Sequence, residues 1–410
     1  MFLTKEEAFS LVREFGSPLY VYSEDILRSR CRKLLSAFEG RVCPSYSIKA
    51  NSNIDLLRII REEGLDGDAM SPGEIFLLER AGFTSNEIFY IGNNVSADEM
   101  QYCIDRNILV NIDSLSQLEM FGKINRGGNV SIRLNPGVGA GHCSKVVTAG
   151  HETKFGIDPV FCEDVKRVLN EYDLRLVGVS QHIGSLFLEP EPYIDAAESL
   201  LNIVAENFPG LDFVDFGGGF GVPYKPDEHP LDFDKLRDSL FPLLDDFIAR
   251  YDNKNVHFRC EPGRFVVAEC GLLLGTVHAV KENYKKTFAG TDIGFNVLMR
   301  PVLYDSYHEV KLIKKDGGAE AGAAECAPLT VVGNICESGD ILAKDRLIES
   351  PCIGDLIAVE NAGAYGYSMS SNYNCRLRPA EVLKTSEGKF KLIRKADTLE
   401  GLLMNFVCKY

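Results

Sequence analysis

Leu211-Asp212-Phe213-Val214-Asp215-Phe216-Gly217-Gly218-Gly219-Phe220-Gly221 is the stretch from which the rest of the chain can be counted. Residues 212–216 read as a short strand, and a glycine cluster follows directly. Upstream, strand-like runs occur near 43–48, 65–70, 87–91, 108–112, 129–134 and 176–182, and one more lies downstream near 256–260. Helix-period runs separate them: Ile54–Glu63, Pro72–Ala81, Ala97–Arg106, Leu115–Ile124, Pro159–Tyr172, Tyr193–Phe208 and Leu231–Tyr251. Eight strands alternating with helices, over roughly the ~250 residues such a fold needs, predict a TIM (β/α)8 barrel whose seventh strand ends at the glycines. A doubly wound open sheet is the competing layout.

Outside this repeat the texture changes. Thr4 followed by Glu7 has the form of a capping box, which predicts a helix to about Phe15 and then a strand, Pro18–Tyr22. From Ser23 a helical pattern runs to about Phe38. After Cys270, β-branched stretches dominate (Leu272–Lys281, Thr330–Gly333, Leu356–Glu360) with few helical patterns between them. The expectation is a barrel over 25–274 and a β-sandwich or β-barrel-like domain over 275–410, to which 1–24 contributes. Lys314–Ala327 is polar and Gly/Ala-rich, as an exposed hairpin tip would be.

The bulk numbers exclude several classes. A formal net charge of −15 argues against nucleic-acid or anionic-membrane partners, which need clustered Lys and Arg. No apolar run approaches the ~20 residues that span a bilayer, and the start has no basic and apolar leader pattern. The 12 cysteines show no C-x-x-C pairs. That predicts reduced thiols in a cytoplasmic protein, most of them buried, with no metal site.

The barrel reading makes a pattern that can be checked, since functional residues should follow strand ends. Lys49 follows the first strand, between Tyr46 and Asn51, where an amine can form a Schiff base. Asp68 lies in the second, His182 closes the sixth, and Glu261 with Gly263 and Arg264 follows the eighth. Gly217, Gly218 and Gly219 fall where barrels often bind phosphate, since a backbone without Cβ atoms can turn its N–H groups on the oxygens. Singly, these are a surface lysine, a core histidine, a turn and an ion pair. Together, lysine, phosphate cup and carboxylate are what a protein supplies to pyridoxal 5′-phosphate.

Tyr46-Ser47-Ile48-Lys49-Ala50-Asn51, Ser71-Pro72-Gly73-Glu74, His182-Ile183-Gly184-Ser185, the glycine run and Glu261-Pro262-Gly263-Arg264 resemble the barrel family of pyridoxal-dependent amino-acid decarboxylases. Met299-Arg300-Pro301-Val302-Leu303-Tyr304, Cys336-Glu337-Ser338-Gly339-Asp340, Ala362–Gly366 and Met369–Asn374 are similar to its diaminopimelate branch. The resemblance implies decarboxylation of meso-2,6-diaminopimelate to L-lysine and CO2, the last step of lysine biosynthesis. It implies Lys49, Cys336 and His182 as catalytic residues. Ser185, the Gly217–Gly219 backbone, Gly263 and Arg264 would hold the phosphate, Glu261 the pyridine nitrogen, and Asp68 and Tyr365 would stand beside the cofactor. Arg264, Arg300 and Tyr304 would bind the distal carboxylate, Glu337 the distal ammonium, with Tyr365 near both ligands. It further implies a homodimer in which Cys336 and Glu337 reach the partner's site. Ser180, Gln181, Leu186 and Ile293 depart from the family pattern along the pocket wall. A family member acting on lysine, ornithine or a modified diaminopimelate, and a non-catalytic relative that carries the cofactor or binds a partner as a regulatory decoy, are the alternatives.

Overall fold

The structure is a computed structural model that describes residues 1–137, 150, 153–315 and 326–407. Of the polar 314–327 segment, residues 316–325 lie outside the described residues. The chain divides into two compact units, one of residues 28–223 and 229–266, the other of 1–27, 224–228 and 267–410.

The first strand of the chain, β1 (Leu19–Ser23), belongs to the second unit. The first unit is a closed barrel of β2 (Val42–Ser47), β3 (Asp66–Ala69), β4 (Ile88–Tyr90), β5 (Leu109–Ile112), β6 (Asn129–Arg133), β7 (Arg175–Ser180), β8 (Phe213–Asp215) and β9 (His257–Cys260). Every neighbouring pair is parallel, and Val42 opposite Phe258 closes the ring. The open sheet is thereby excluded. Helix α1 (Lys5–Phe15) belongs to the other unit, and α2 (Glu24–Phe38) leads into the barrel. Strands β2 to β8 are each followed by a helix: α3 (Ile54–Glu62), α4 (Pro72–Ala81), α5 (Ala97–Ile104), α6 (Leu115–Ile124), α7 (Cys162–Glu171), α8 (Glu191–Asn207) and α9 (Phe233–Arg250).

Local chemistry sets these boundaries. Ser71 accepts the Glu74 N–H with Pro72 in the first turn of α4, and Ser96 forms a capping box with Glu99 on α5. Some details differ from the sequence reading, among them the end of the barrel unit, which comes at residue 266 and not 274. Strand β7 stops at Ser180, so His182 lies on the loop beyond it, where the Gln181 N–H bonds to the Asp215 carbonyl instead. The run from Pro159 begins as one 3-10 turn, because Asp158 accepts the Val160 N–H and starts it early.

The second unit is built on a sheet in the order β14 (Ile341–Glu349), β13 (Cys326–Val332), β11 (Lys286–Thr291), β10 (Gly271–Asn283), β1, β16 (Ala380–Lys384) and β17 (Phe390–Arg394). Strand β15 (Leu356–Val359) pairs with β10 and with β12 (Val310–Ile313). Pairing is antiparallel except for β1 with β16 and β11 with β13. Alternate residues Leu19, Val21, Leu272, Leu274, Ala358, Ala380 and Val382 face one core, closed over by Leu3, Ala8 and Leu11 of the N-terminal segment. The Thr4–Glu7 capping box forms as the sequence predicts. Of the described cysteines, all free, Cys31, Cys103, Cys162, Cys260 and Cys270 are buried, while Cys43, Cys326, Cys336, Cys352 and Cys375 are exposed. Among the described cysteines half are buried, where the sequence reading expected most. Among the described residues no helix is long and apolar enough to cross a membrane and no cluster of metal-ligating side chains occurs.

Candidate active site

In the barrel unit the predicted residues gather on the carboxyl ends of the strands. Lys49 sits on a single 3-10 turn, Ile48–Ala50, that leaves β2. The Tyr46 hydroxyl fastens this turn by donating to the Asn51 carbonyl at 2.9 Å. Ser47 pairs in register with Asp68 of β3 and donates to its carboxylate at 2.5 Å. Burial raises the Asp68 carboxyl, while the charge of Lys49 and the Ser47 bond pull it down. Glu261, one residue past β9, is 4% exposed. Burial pushes its carboxyl well above the ordinary range, and Asp215 and Asp68 add to the shift. The Arg264 guanidinium, also buried, donates to Ser185 Oγ at 3.1 Å.

The glycine run is stitched to both neighbouring loops. Gly217 takes the Glu261 N–H on its carbonyl, and Gly219 takes that of Leu186. A Cβ on Gly218 would stand 1.9 Å from the Glu261 carbonyl oxygen, and one on Gly219, whose φ is +109°, 2.5 Å from that of Gly184. Backbone packs on backbone here, and only glycine permits it. The expected cup of three donors is narrower, however. The Gly217 N–H bonds to Asp215 Oδ1 at 2.8 Å and that of Gly218 to His182 Nδ1 at 3.0 Å. Because Nδ1 accepts, the neutral His182 ring carries its proton on Nε2. Burial drives its pKa well below the usual histidine value, helped by the charges of Lys49 and Arg133.

Three further residues at this end escaped the sequence reading as site residues. Arg133, the last residue of β6, is 6% exposed, donates to the His182 carbonyl at 3.2 Å and lies over the Phe155 ring. Asp215, at the end of β8, is pushed up to about 6 by burial. Glu74 takes the Met70 N–H at 2.7 Å, and burial raises its carboxyl to about 7. Its only sequence signal was the Ser-Pro-Gly-Glu helix start.

The remaining predicted residues lie in the second unit. Arg300 and Tyr304 bound the short helix α11 (Arg300–Tyr304), reached after α10 (Arg264–Val267). Cys336 and Glu337 are exposed on the loop joining β13 to β14. Tyr365 is half-buried with a positive φ of +55°. Segment 373–376 grips the Cys336 loop at three points. The Tyr373 hydroxyl donates to Glu337 Oε1 at 2.6 Å, Asn374 Oδ1 accepts the Cys336 N–H at 2.8 Å, and Arg376 donates to the Asn334 carbonyl at 3.2 Å. Tyr373 is itself stacked on Phe295.

Residues 24–268 match the family model described as pyridoxal-dependent decarboxylase, pyridoxal binding domain. Over 407 residues the chain is 42% identical to a diaminopimelate decarboxylase of Methanothermobacter thermautotrophicus, covering 97% of this chain and 93% of that one. The chain belongs to the diaminopimelate decarboxylase family. The enzyme of that name from Escherichia coli K12 is 34% identical over 412 residues, covering 98% and 96% of the two chains. In structure, the diaminopimelate decarboxylase of Helicobacter pylori complexed with L-lysine superposes with a TM-score of 0.87 at 32% identity, covering 96% of this chain and 98% of that one.

The cofactor of this decarboxylase family is pyridoxal 5′-phosphate, and the barrel residues fit it. Glu261 Oε1 and Asp68 Oδ1 are shut off from solvent with no hydrogen-bond partner among the described residues. A buried carboxyl that resists ionising alone will ionise against a basic ring nitrogen, since the pair then carries no net charge. The Gly219 N–H, Ser185 and Arg264 offer donors of the kind that a phosphate requires.

Proposed function

We propose that this protein decarboxylates meso-2,6-diaminopimelate to L-lysine and CO2 with pyridoxal 5′-phosphate, closing lysine biosynthesis. The observation that carries this reading is the convergence of Lys49, Asp68, His182, the glycine run, Glu261 and Arg264 on one end of one barrel. When bound, the cofactor supplies an electron-withdrawing ring that accepts the electron pair released as the Cα–carboxylate bond breaks.

The protein's residues do the rest. Lys49 would hold the cofactor through its side-chain amine. Glu261 keeps a proton at the ring nitrogen, and the neutral His182 ring offers a flat face that adds no charge. Ser185, Gly219, Gly263 and Arg264 hold the phosphate. Arg264, Arg300 and Tyr304 bind the distal carboxylate, where a guanidinium makes a planar fork. Glu337 binds the distal ammonium, with Tyr365 beside substrate and cofactor. Cys336 gives a proton to Cα, so the bond that held CO2 becomes a C–H bond.

Cys336 and Glu337 are exposed in the single chain. A carboxylate in water holds an ammonium only weakly. A homodimer that places this loop over the partner's barrel supplies the missing cover. The cysteine usage supports a cytoplasmic location. Incubation of the purified protein with meso-diaminopimelate should release CO2 and L-lysine in equal amounts, with lysine or ornithine supplied as substrate giving far less CO2. Equal release from all three would overturn the substrate, and release from none would overturn the activity.

A further inference from the structure

Arg300 is 1% exposed, and one arm of its fork meets a histidine. Its Nη1 lies 2.7 Å from His308 Nε2. Guanidinium only donates, so Nε2 accepts, and the ring proton stands on Nδ1. Nδ1 in turn lies 2.9 Å from the Glu360 carbonyl oxygen, one residue beyond β15. Both ring nitrogens are engaged in the neutral tautomer, and His308 is fully buried. The Tyr224 ring completes the frame, with Arg300 Cζ 4.4 Å from its centroid and the His308 ring edge-on to it at 5.1 Å. Ser306 Oγ receives Nη2 at 3.4 Å. The plane of the guanidinium is thus set by an acceptor on one arm, a hydroxyl on the other and a ring beneath.

We infer that His308 is a positioning residue: it orients the Arg300 fork for the distal carboxylate of the substrate while adding no negative charge of its own. This rests on the substrate role proposed above for Arg300. A carboxylate in place of His308 would also accept the Nη1 hydrogen bond. It would then form a buried ion pair with Arg300 and compete with the substrate for the same cation. Imidazole accepts without competing. Its second bond, to a carbonyl fixed in the sheet, keeps the ring from turning and fixes the tautomer.

The test compares KM and kcat for meso-diaminopimelate in His308→Glu, His308→Leu, His308→Gln and Arg300→Met. Circular dichroism and the visible absorbance of bound cofactor are read first, as evidence that both units of each variant are folded. Arg300→Met should raise KM by about a hundredfold, the scale for losing a charged contact. His308→Glu should approach that value. His308→Leu should raise KM about tenfold with kcat changed less than about threefold, as removal of uniform binding does. His308→Gln, which can present a neutral acceptor near the Nε2 position, should stay within about threefold of the unmodified enzyme. If Arg300→Met raises KM while the Glu and Leu variants do not, the inference is overturned and the substrate reading stands. If Arg300→Met itself leaves KM unchanged, the substrate role of Arg300 falls. Should the Glu variant fail to hold cofactor, the Leu and Gln pair decides: equal KM values in those two overturn the inference.

Discussion

Glu261 and Glu337 are the same side chain in opposite surroundings. Glu261 is buried at the end of a barrel strand, between backbone-stitched loops, and burial raises its carboxyl far above the usual range. Glu337 stands exposed on a loop between two strands of the other unit, oriented by the Tyr373 hydroxyl. The first can do its chemistry with what its own unit supplies. The second has a direction but no shelter, and in water a directed carboxylate is a weak grip. On the roles proposed for these two residues, cofactor electronics and substrate recognition fall in two environments, and substitutions in each should fail in different ways.

The largest effect belongs to the barrel. Lys49→Ala should abolish both the visible absorbance of bound cofactor and turnover, and retained activity would break the assignment of the tether. Cys336→Ala should keep the absorbance and lose about a hundredfold or more in kcat, the range for a proton-transfer group. Normal turnover in that variant would withdraw the proton-donor role. Tyr373→Phe should be milder, with KM for meso-diaminopimelate up about threefold to tenfold and absorbance unaltered, because one orienting hydrogen bond is lost. A change in absorbance there would blur the division between the regions.

The last effect is on stability. Glu74 titrates near 7 in the folded protein against an ordinary 4.5, so the folded state binds its proton more tightly. Its contribution is fully present below about pH 4.5 and is lost as the pH rises through about 7. Glu74→Gln should therefore lessen the decline in stability between those limits, by at most roughly 3 kcal/mol. Urea midpoints at pH 5 and pH 8 would measure it. An unchanged difference between the two midpoints would show that Glu74 has no such role.

Much of this arrangement was legible in the chain. The barrel repeats one strand–helix unit, and each repeat restates the same apolar period, so α4 and α6 match their predicted ends. Lys49 and the glycine run were legible because strand counting put them at one end. Helix α11 was not, since five residues are too few to show a helical period. Arg133, Asp215 and Glu74 look like ordinary strand-end or helix-start residues until the ring closes and brings their charges together. The use of the Gly217 and Gly218 N–H groups inside the protein, and the His308 contact with Arg300, depend on side-chain directions that no spacing encodes. The exposed cysteines were misjudged because composition describes an average and a loop position does not.

Strand β1 lies between β10, to which it is antiparallel, and β16, beside which it runs parallel. On the ribosome, residues 19–23 therefore emerge more than two hundred residues before either neighbour exists. The barrel, nearly continuous in sequence, has its last strand translated before β10. The sheet stays unfinished until the final strands leave the exit tunnel, and a nascent chain stalled before residue 380 carries a barrel-competent segment and an N-terminal strand with one edge still bare.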